Sequence, residues 1–346
     1  MKKPRIHVLA LGGTIAMVQG EKAVRPGLLA ENLINAIPEL SQLADFNAET
    51  VSKLGSFDLT LDSLLKLATH IQNISDRSIA DGVVITQGTD TLEETAFLLD
   101  AVLDVEIPVV VIGAMRNPLM ISADGPGNLL AAVRTIISPE VRESEGKLGV
   151  LVTMLDTIHT ARHVAKTDSS RIDAFSSPPT GPMGVLVEDR VRIHMYPDRN
   201  WKIAFNDICP GTSPAAMQDH PKQVGLVTIG LDESGGFLRA LCESEDMLGY
   251  DGLVLAAMGG GHIPGCLTDY VSAIATRVPV VITSRTGSGI LLRKTYEMIG
   301  AEIDLANRGT INAGSLPPLK ARILLTLMLM AKAQPEQIKE IFSMFN

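Results

Sequence analysis

At 346 residues the chain has room for about two domains, each large enough to bury its own core without a staple. Thirty Lys and Arg against thirty-nine Asp and Glu give a net charge of −9, and no stretch concentrates five basic residues, so nucleic acid and anionic membranes are excluded as expected partners. Cys209, Cys242 and Cys266 are the only cysteines; an odd number without a C-x-x-C pair argues against a disulfide framework or zinc knuckle and for a reducing compartment.

The basic start, Met1-Lys2-Lys3, leads into an apolar piece that ends at Leu11-Gly12-Gly13-Thr14, too soon for a secretory h-region, and the expectation is a cytoplasmic protein. Short apolar, β-branched runs at 6–9, 83–85, 109–112, 150–152, 224–229, 253–256 and 280–282 read as strands of a buried parallel sheet. Helical periodicity falls between them at 61–71, 92–103, 128–137 and 267–276, and this alternation makes the class α/β, with a mostly parallel sheet flanked by helices. Val185-Leu186-Val187 and Val191-Arg192-Ile193 read as an antiparallel hairpin. The segment 196–223 lacks periodic pattern and holds Pro197, Pro210, Gly211, Ser213, Pro214 and Pro221. The domain junction belongs there, giving domains 1–200 and 223–346 around a linker 201–222. The longest apolar stretch, 323–331, falls far short of the ~20 residues of a membrane span and reads as a core helix.

Chemistry-bearing residues collect after the strands, where open α/β sheets border their ligand crevice. Gly12-Gly13-Thr14 allows close backbone approach and offers a hydroxyl able to act as nucleophile, although a Gly-Gly turn after a strand is also common for purely structural reasons. Neither a P-loop nor a G-x-G-x-x-G motif follows any strand, which removes a nucleotide site. In Thr86-Gln87-Gly88-Thr89-Asp90-Thr91-Leu92-Glu93-Glu94, Thr91 and Glu94 fit a capping box. Thr89 and Asp90 are left at the turn, either as a plain Asx or Ser/Thr turn or as a hydroxyl that positions water and a carboxylate that holds an ammonium. Lys166 reads as a loop lysine, solvated unless a pocket turns it into a base. Ser63-Leu64-Leu65-Lys66 matches S-x-x-K without its companion motifs, and His159 with His163 is the one i, i+4 histidine pair, without an obvious third metal ligand.

At these residues the sequence resembles the bacterial-type L-asparaginases, the asparaginase/glutaminase family of amidohydrolases. The likeness rests on Leu11-Gly12-Gly13-Thr14-Ile15-Ala16 and on the run from Thr86 to Ala96. Gly113-Ala114-Met115-Arg116, Ser122-Ala123-Asp124-Gly125-Pro126, Lys166-Thr167 and Lys320-Ala321-Arg322 follow in order. The resemblance implies a larger N-terminal and a smaller C-terminal domain, a homodimer or a homotetramer built from dimers, and sites completed by a neighbouring subunit. It implies that Thr14 is the nucleophile and that Thr89, Asp90 and Lys166 form a second catalytic group. Ser56 would hold a substrate carboxylate and Ala114 would contact the substrate amide through its backbone. Gly13, Phe57, Gly88 and Asp90 complete the expected binding set, joined by Glu297 on what reads as a helix within 287–302. A small amide is the implied substrate, with neither metal nor organic cofactor.

Three departures bear on the substrate. The family's first-loop tyrosine has no counterpart, because Tyr196, Tyr250, Tyr270 and Tyr296 are the only tyrosines, and the loop 17–27 is short. Phe57 stands where a glutamine is common, and Gly260 and His262 stand where asparagines are usual. The expectation is an amidohydrolase acting on L-asparagine. Its alternatives are an amidase for another small amide or lactam, and a non-catalytic amino-acid-binding homologue.

Overall fold

The computed structural model describes residues 2–209 and 213–346, and the chain parts into two compact units between Asp198 and Arg199. Pro210 and Gly211, which contributed to the expected junction, lie outside the described residues. The stretch 201–222 is not an extended linker: it carries most of the helix Asn200–Ile208 and all of Pro214–Gln218, both grouped with the second unit. The reason is apolar spacing. Trp201 and Phe205, four residues apart on one helix face, are buried, and the Trp201 ring packs on Phe345.

The first unit contains β1 (Arg5–Gly12), β2 (Met17–Gln19), β3 (Val24–Pro26), β4 (Asp45–Leu54), β5 (Gly82–Thr86), β6 (Val109–Ile112), β7 (Leu151–Met154), β8 (Thr157–Thr160), β9 (Ala165–Lys166), β10 (Phe175–Ser176), β11 (Gly184–Val187) and β12 (Arg190–Ile193). Eight of these form one sheet in the order β12-β11-β8-β7-β6-β5-β1-β4, while β2 pairs with β3 and β9 with β10. The sheet is parallel from β4 to β7 and antiparallel from β7 to β12. Central β5 and β6 are buried at every residue, as their unbroken apolar runs require. Edge strand β4, DFNAETVSKL, alternates between exposed and half-buried positions, which is why no apolar run marks it in the sequence. The helix Gly125–Ile137 buries Leu129, Ala132, Val133 and Ile136 in the same core as Val84, Val110 and Ile112 of the sheet.

The second unit holds a parallel sheet of β13 (Val224–Thr228), β14 (Gly252–Ala257), β15 (Val280–Ser284) and β16 (Ile311–Asn312) in that order. Leu253 and Leu255 share a core with Leu238 and Leu241 of the helix Gly236–Glu243 and with Val271 and Ile274 of Thr268–Ala275. Gly252, one residue out of phase, faces Leu325 and Leu329 of Pro318–Met330, so alternate strand residues serve the two faces. That last helix contains the apolar run expected as a core helix, and among the described residues no helix is long and apolar enough to cross a membrane.

The segment 287–302 corrects the expectation of a helix carrying Tyr296 and Glu297. It is irregular up to Ala301, and the helix Glu302–Asn307 begins only where it ends. Gly287 and Gly289 have φ of +76° and +98°, outside any right-handed helix. The buried Glu302 carboxylate accepts the N–H groups of Thr295 (2.6 Å) and Tyr296 (2.7 Å). Glu297 is exposed on this loop.

Candidate active site

All the candidate residues except Glu297 lie in the first unit, and all of these but Lys166 lie at the carboxyl ends of its parallel strands. Strands β1 and β5 run side by side with Ala10 opposite Thr86, so the turns that follow them are neighbours. Gly13, at φ +80°, lies so close to Gly88 that a Cβ added to it would fall on the Gly88 backbone. Thr14 and Thr89, each one residue beyond this contact, therefore emerge from touching turns. Gly12, at φ +107°, similarly leaves no room for a Cβ beside Leu54 of β4, and the Gly13 N–H is bound by the Leu54 carbonyl at 3.0 Å. Gly13→Ala should combine left-handed strain with a backbone clash and destabilise the protein by on the order of 3 kcal/mol, measured as a loss in urea midpoint; an unchanged midpoint would mean that the two turns separate freely.

The Gly55–Asp58 turn joins the same cluster from β4. Ser56 is buried, its Oγ accepts the Asp90 N–H at 3.2 Å, and its carbonyl accepts the Thr91 hydroxyl at 2.9 Å. The expected capping box is therefore absent, since the Thr91 hydroxyl bonds across to Ser56 and does not cap its own helix. Phe57 next to it is 74% exposed, with its ring lying over Gly55.

Lys166 is not a loop residue. It sits on β9, paired with Phe175 of β10, and its backbone N–H is bound by Glu93 Oε1 at 3.3 Å. Its ammonium donates to Thr89 Oγ1 at 2.9 Å and to Asp90 Oδ1 at 2.6 Å. Only 14% of the Lys166 side chain is exposed, against 57% for Asp90, so the carboxylate faces solvent while the lysine stem is covered. An open cleft of about 360 Å³ borders Asp90, Lys166, Thr167, Asp168 and Ser169. Asp168 Oδ1 accepts the N–H groups of Ser170 and Arg171, which hold its carboxyl below the usual carboxylate range.

Asp124, quoted only within the Ser122 to Pro126 motif, and Asn128 were given no site role from the sequence. The Asp124 carboxylate accepts the N–H groups of Met115 (2.9 Å) and Arg116 (2.8 Å), and the Asn128 amide donates to the Gly113 carbonyl and accepts the Leu155 N–H. Together they fix the turn that presents the Ala114 backbone, whose own side chain is buried. An aspartate just before Gly125-Pro126, where a helix begins, was the available signal. Glu93, whose carboxylate accepts the Lys166 backbone N–H, had its place in the Thr86 to Ala96 motif and in a helix's first turn, neither of which assigns it a partner.

The remaining motifs fall away from this cluster. Ser63 forms the N-terminal cap of the helix Leu61–Asp76 with Thr60, and Lys66 pairs with Asp62 at 2.8 Å. His159 and His163 lie on β8 and in the turn after it, with Nδ1 atoms on Ser177 and Thr160 respectively. The short first loop is the β2–β3 hairpin, closed by a Gly20 N–H to Ala23 carbonyl bond of 2.9 Å.

Residues 5–199 match the family described as asparaginase, N-terminal, and residues 223–342 match the glutaminase/asparaginase C-terminal domain. The chain is 36% identical to L-asparaginase 2 of Escherichia coli over 99% of its own length and 93% of the relative's. It is 34% identical to L-asparaginase 2 of Bacillus subtilis over 98% and 86%. The crystal structure of a probable cytoplasmic L-asparaginase from Campylobacter jejuni superposes with a TM-score of 0.83 at 33% identity, covering 99% of both chains. With both family domains matched in order and the strand-end turns carrying hydroxyls and a carboxylate that the Lys166 amine meets, this chain belongs to the asparaginase family and is an asparaginase-like amidohydrolase.

Proposed function

We propose that this enzyme hydrolyses L-asparagine to L-aspartate and ammonia through a threonine acyl-enzyme. The observation that carries the reading is the Lys166 ammonium held between Thr89 Oγ1 and Asp90 Oδ1, beside the touching turns that present Thr14. Thr14 Oγ attacks the side-chain amide carbon, the amide nitrogen leaves as ammonia after taking up a proton, and an ester remains. For the second step Lys166 must first give up one ammonium proton. The neutral amine then takes the Thr89 hydroxyl proton while Thr89 Oγ1 takes one from the water, the hydroxide cleaves the ester, and the proton held by Lys166 returns through Thr89 to the Thr14 alkoxide. The Gly13 N–H is already bound by Leu54 and does not serve the oxyanion. The N–H groups of Thr14 and Thr89 fill that role.

Substrate recognition follows from the same groups. Ser56 Oγ accepts from Asp90, which leaves its own hydroxyl proton free to donate to the substrate α-carboxylate. The exposed Asp90 carboxylate takes the α-ammonium, Gly88 lines the turn between them, and the Ala114 backbone meets the amide. Glu297 is proposed to act across an assembly, a homodimer or homotetramer, in which a second copy completes the site. A monomer that sediments alone and turns over at the full rate would exclude that arrangement. A cytoplasmic location is proposed by analogy with the Campylobacter jejuni structure, described as a probable cytoplasmic L-asparaginase. An ammonia-release screen over L-Asn, D-Asn, L-Gln and a panel of amides and lactams tests the whole reading, with L-Asn expected to give the highest kcat/KM; no ammonia from any of them would leave the non-catalytic alternative.

The solvent-exposed ring of Phe57 favours a second reading, in which the preferred amide has an apolar surface and lacks an α-ammonium. Phe57 brings no acceptor to the place where a glutamine would. The missing charge-assisted hydrogen bond is worth about 1.5–3 kcal/mol, or about 10- to 150-fold in affinity. Millimolar KM for L-asparagine is therefore expected, and Phe57→Gln should lower it at least about tenfold. Micromolar KM in the wild type, unimproved by the substitution, would remove Phe57 from substrate recognition.

A further inference from the structure

We propose that His7 Nε2, the Glu49 carboxylate and His70 Nε2 form a binding site for one divalent transition-metal ion of the zinc type, structural in role and remote from the strand-end turns. Glu49 Oε2 lies 2.8 Å from His70 Nε2 and 3.6 Å from His7 Nε2, and one ligand atom from each of the three residues lies within 4.8 Å of the other two. Tetrahedral zinc with ligand bonds of about 2.0–2.1 Å requires its ligand atoms about 3.3 Å apart. Two of the three separations bracket that value, and drawing the two imidazoles together from within 4.8 Å completes the geometry. Two imidazoles and one carboxylate are a donor set that zinc accepts, with the fourth position open to water.

The independent observation is the state of His7. Its side chain is 5% exposed, and Nε2 is buried without a hydrogen-bond partner. A plain His70–Glu49 ion pair accounts for the 2.8 Å contact but leaves that nitrogen unsatisfied, since 3.6 Å is too long for a hydrogen bond. A metal engages all three groups. Access is open on the other side, where the Glu49 and His70 side chains are 46% and 40% exposed.

The fold supplies both the convergence and an outer partner. His7 on β1 stands opposite Asn47 on β4, Glu49 lies two residues further along the same face of β4, and His70 comes from the helix Leu61–Asp76, its ring edge-on to that of His7. The Asn47 amide is 3.3 Å from His7 Nδ1. Metal binding at Nε2 places the ring proton on Nδ1, and a half-turn of the Asn47 amide then presents its oxygen to accept that proton. An ion at this place would tie edge strand β4 to β1 and to the helix that covers them.

Tag-free protein stripped with EDTA and titrated with zinc chloride tests the proposal. One zinc per chain should remain after gel filtration, cobalt substitution should give the visible bands of a tetrahedral site, and zinc at about 100 times its Kd should raise the melting temperature by about 5 °C or more. Glu49→Gln and His70→Gln alter half-exposed side chains, so both should fold and release ammonia as the wild type does, yet each should bind zinc at least about tenfold more weakly. His7→Gln would be confounded by burial and is not needed. Sub-stoichiometric zinc in the wild type, or stoichiometric binding left unchanged by both substitutions, would overturn the assignment and leave His70 and Glu49 as an ion pair.

Discussion

Thr14→Ala is expected to melt close to the wild type and to release ammonia from L-asparagine at least about 10³-fold more slowly, the scale on which loss of a nucleophile registers. The fold should tolerate the change because Thr14 is only half-buried. Its neighbours supply no replacement: Gly13 and Ala16 bring no hydroxyl, and Thr89 Oγ1 already accepts from Lys166. Mass spectrometry of the acid-quenched enzyme gives a second readout. The wild type should carry the acyl adduct on the tryptic peptide containing Thr14, and the variant should carry none. An adduct on Thr89 would exchange the roles of the two threonines, and wild-type turnover by Thr14→Ala would remove Thr14 from the mechanism.

Lys166→Met should lower kcat by several orders of magnitude with a much smaller change in KM, the pattern of a group used mainly in the transition state. Methionine keeps the length of the stem on β9 and removes the amine that bridges Thr89 and Asp90. Lys166→Arg separates the two functions of that amine. A guanidinium retains the charge opposite Asp90 but does not give up a proton at accessible pH. If Lys166 acts as base, Arg and Met should be about equally inactive. Should Arg retain most of the wild-type rate, charge alone is required, and a change confined to KM in both variants would mean that Lys166 only attracts substrate.

How much of this was legible in the sequence depended on burial. Strands β5, β6, β14 and β15 are buried at nearly every position and announce themselves as apolar runs. β4 is polar along its length because it lies at the sheet edge, and β8 and β9 are held by pairing more than by composition. Missing β8 and β9 is what made Lys166 read as a loop residue. The segment 287–302 misled for the opposite reason: its apolar residues suggest a helix, while its glycines and the Glu302 carboxylate hold it in another shape. In the site, Thr14, Thr89, Asp90 and Ser56 could be named from motif residues, whereas Asp124, Asn128 and Glu93 act on backbone groups brought close only by the fold. His7, Glu49 and His70 have no motif spacing, coming from two strands and a helix far apart in the chain.

The contact between Gly13 and Gly88 has a consequence for how this enzyme can be altered. Because a Cβ at Gly13 would fall on the Gly88 backbone and one at Gly88 would press on Ser56, the turns bearing Thr14 and Thr89 behave as one rigid part. Neither can be lengthened, shortened or exchanged with a homologue's alone. Diversity in substrate range is then to be sought where the backbone is less confined, in the β2–β3 hairpin and at Phe57. Libraries randomised there should retain many folded, active members, while libraries randomised at 12–14 or 86–89 should yield almost none unless both turns are transplanted together.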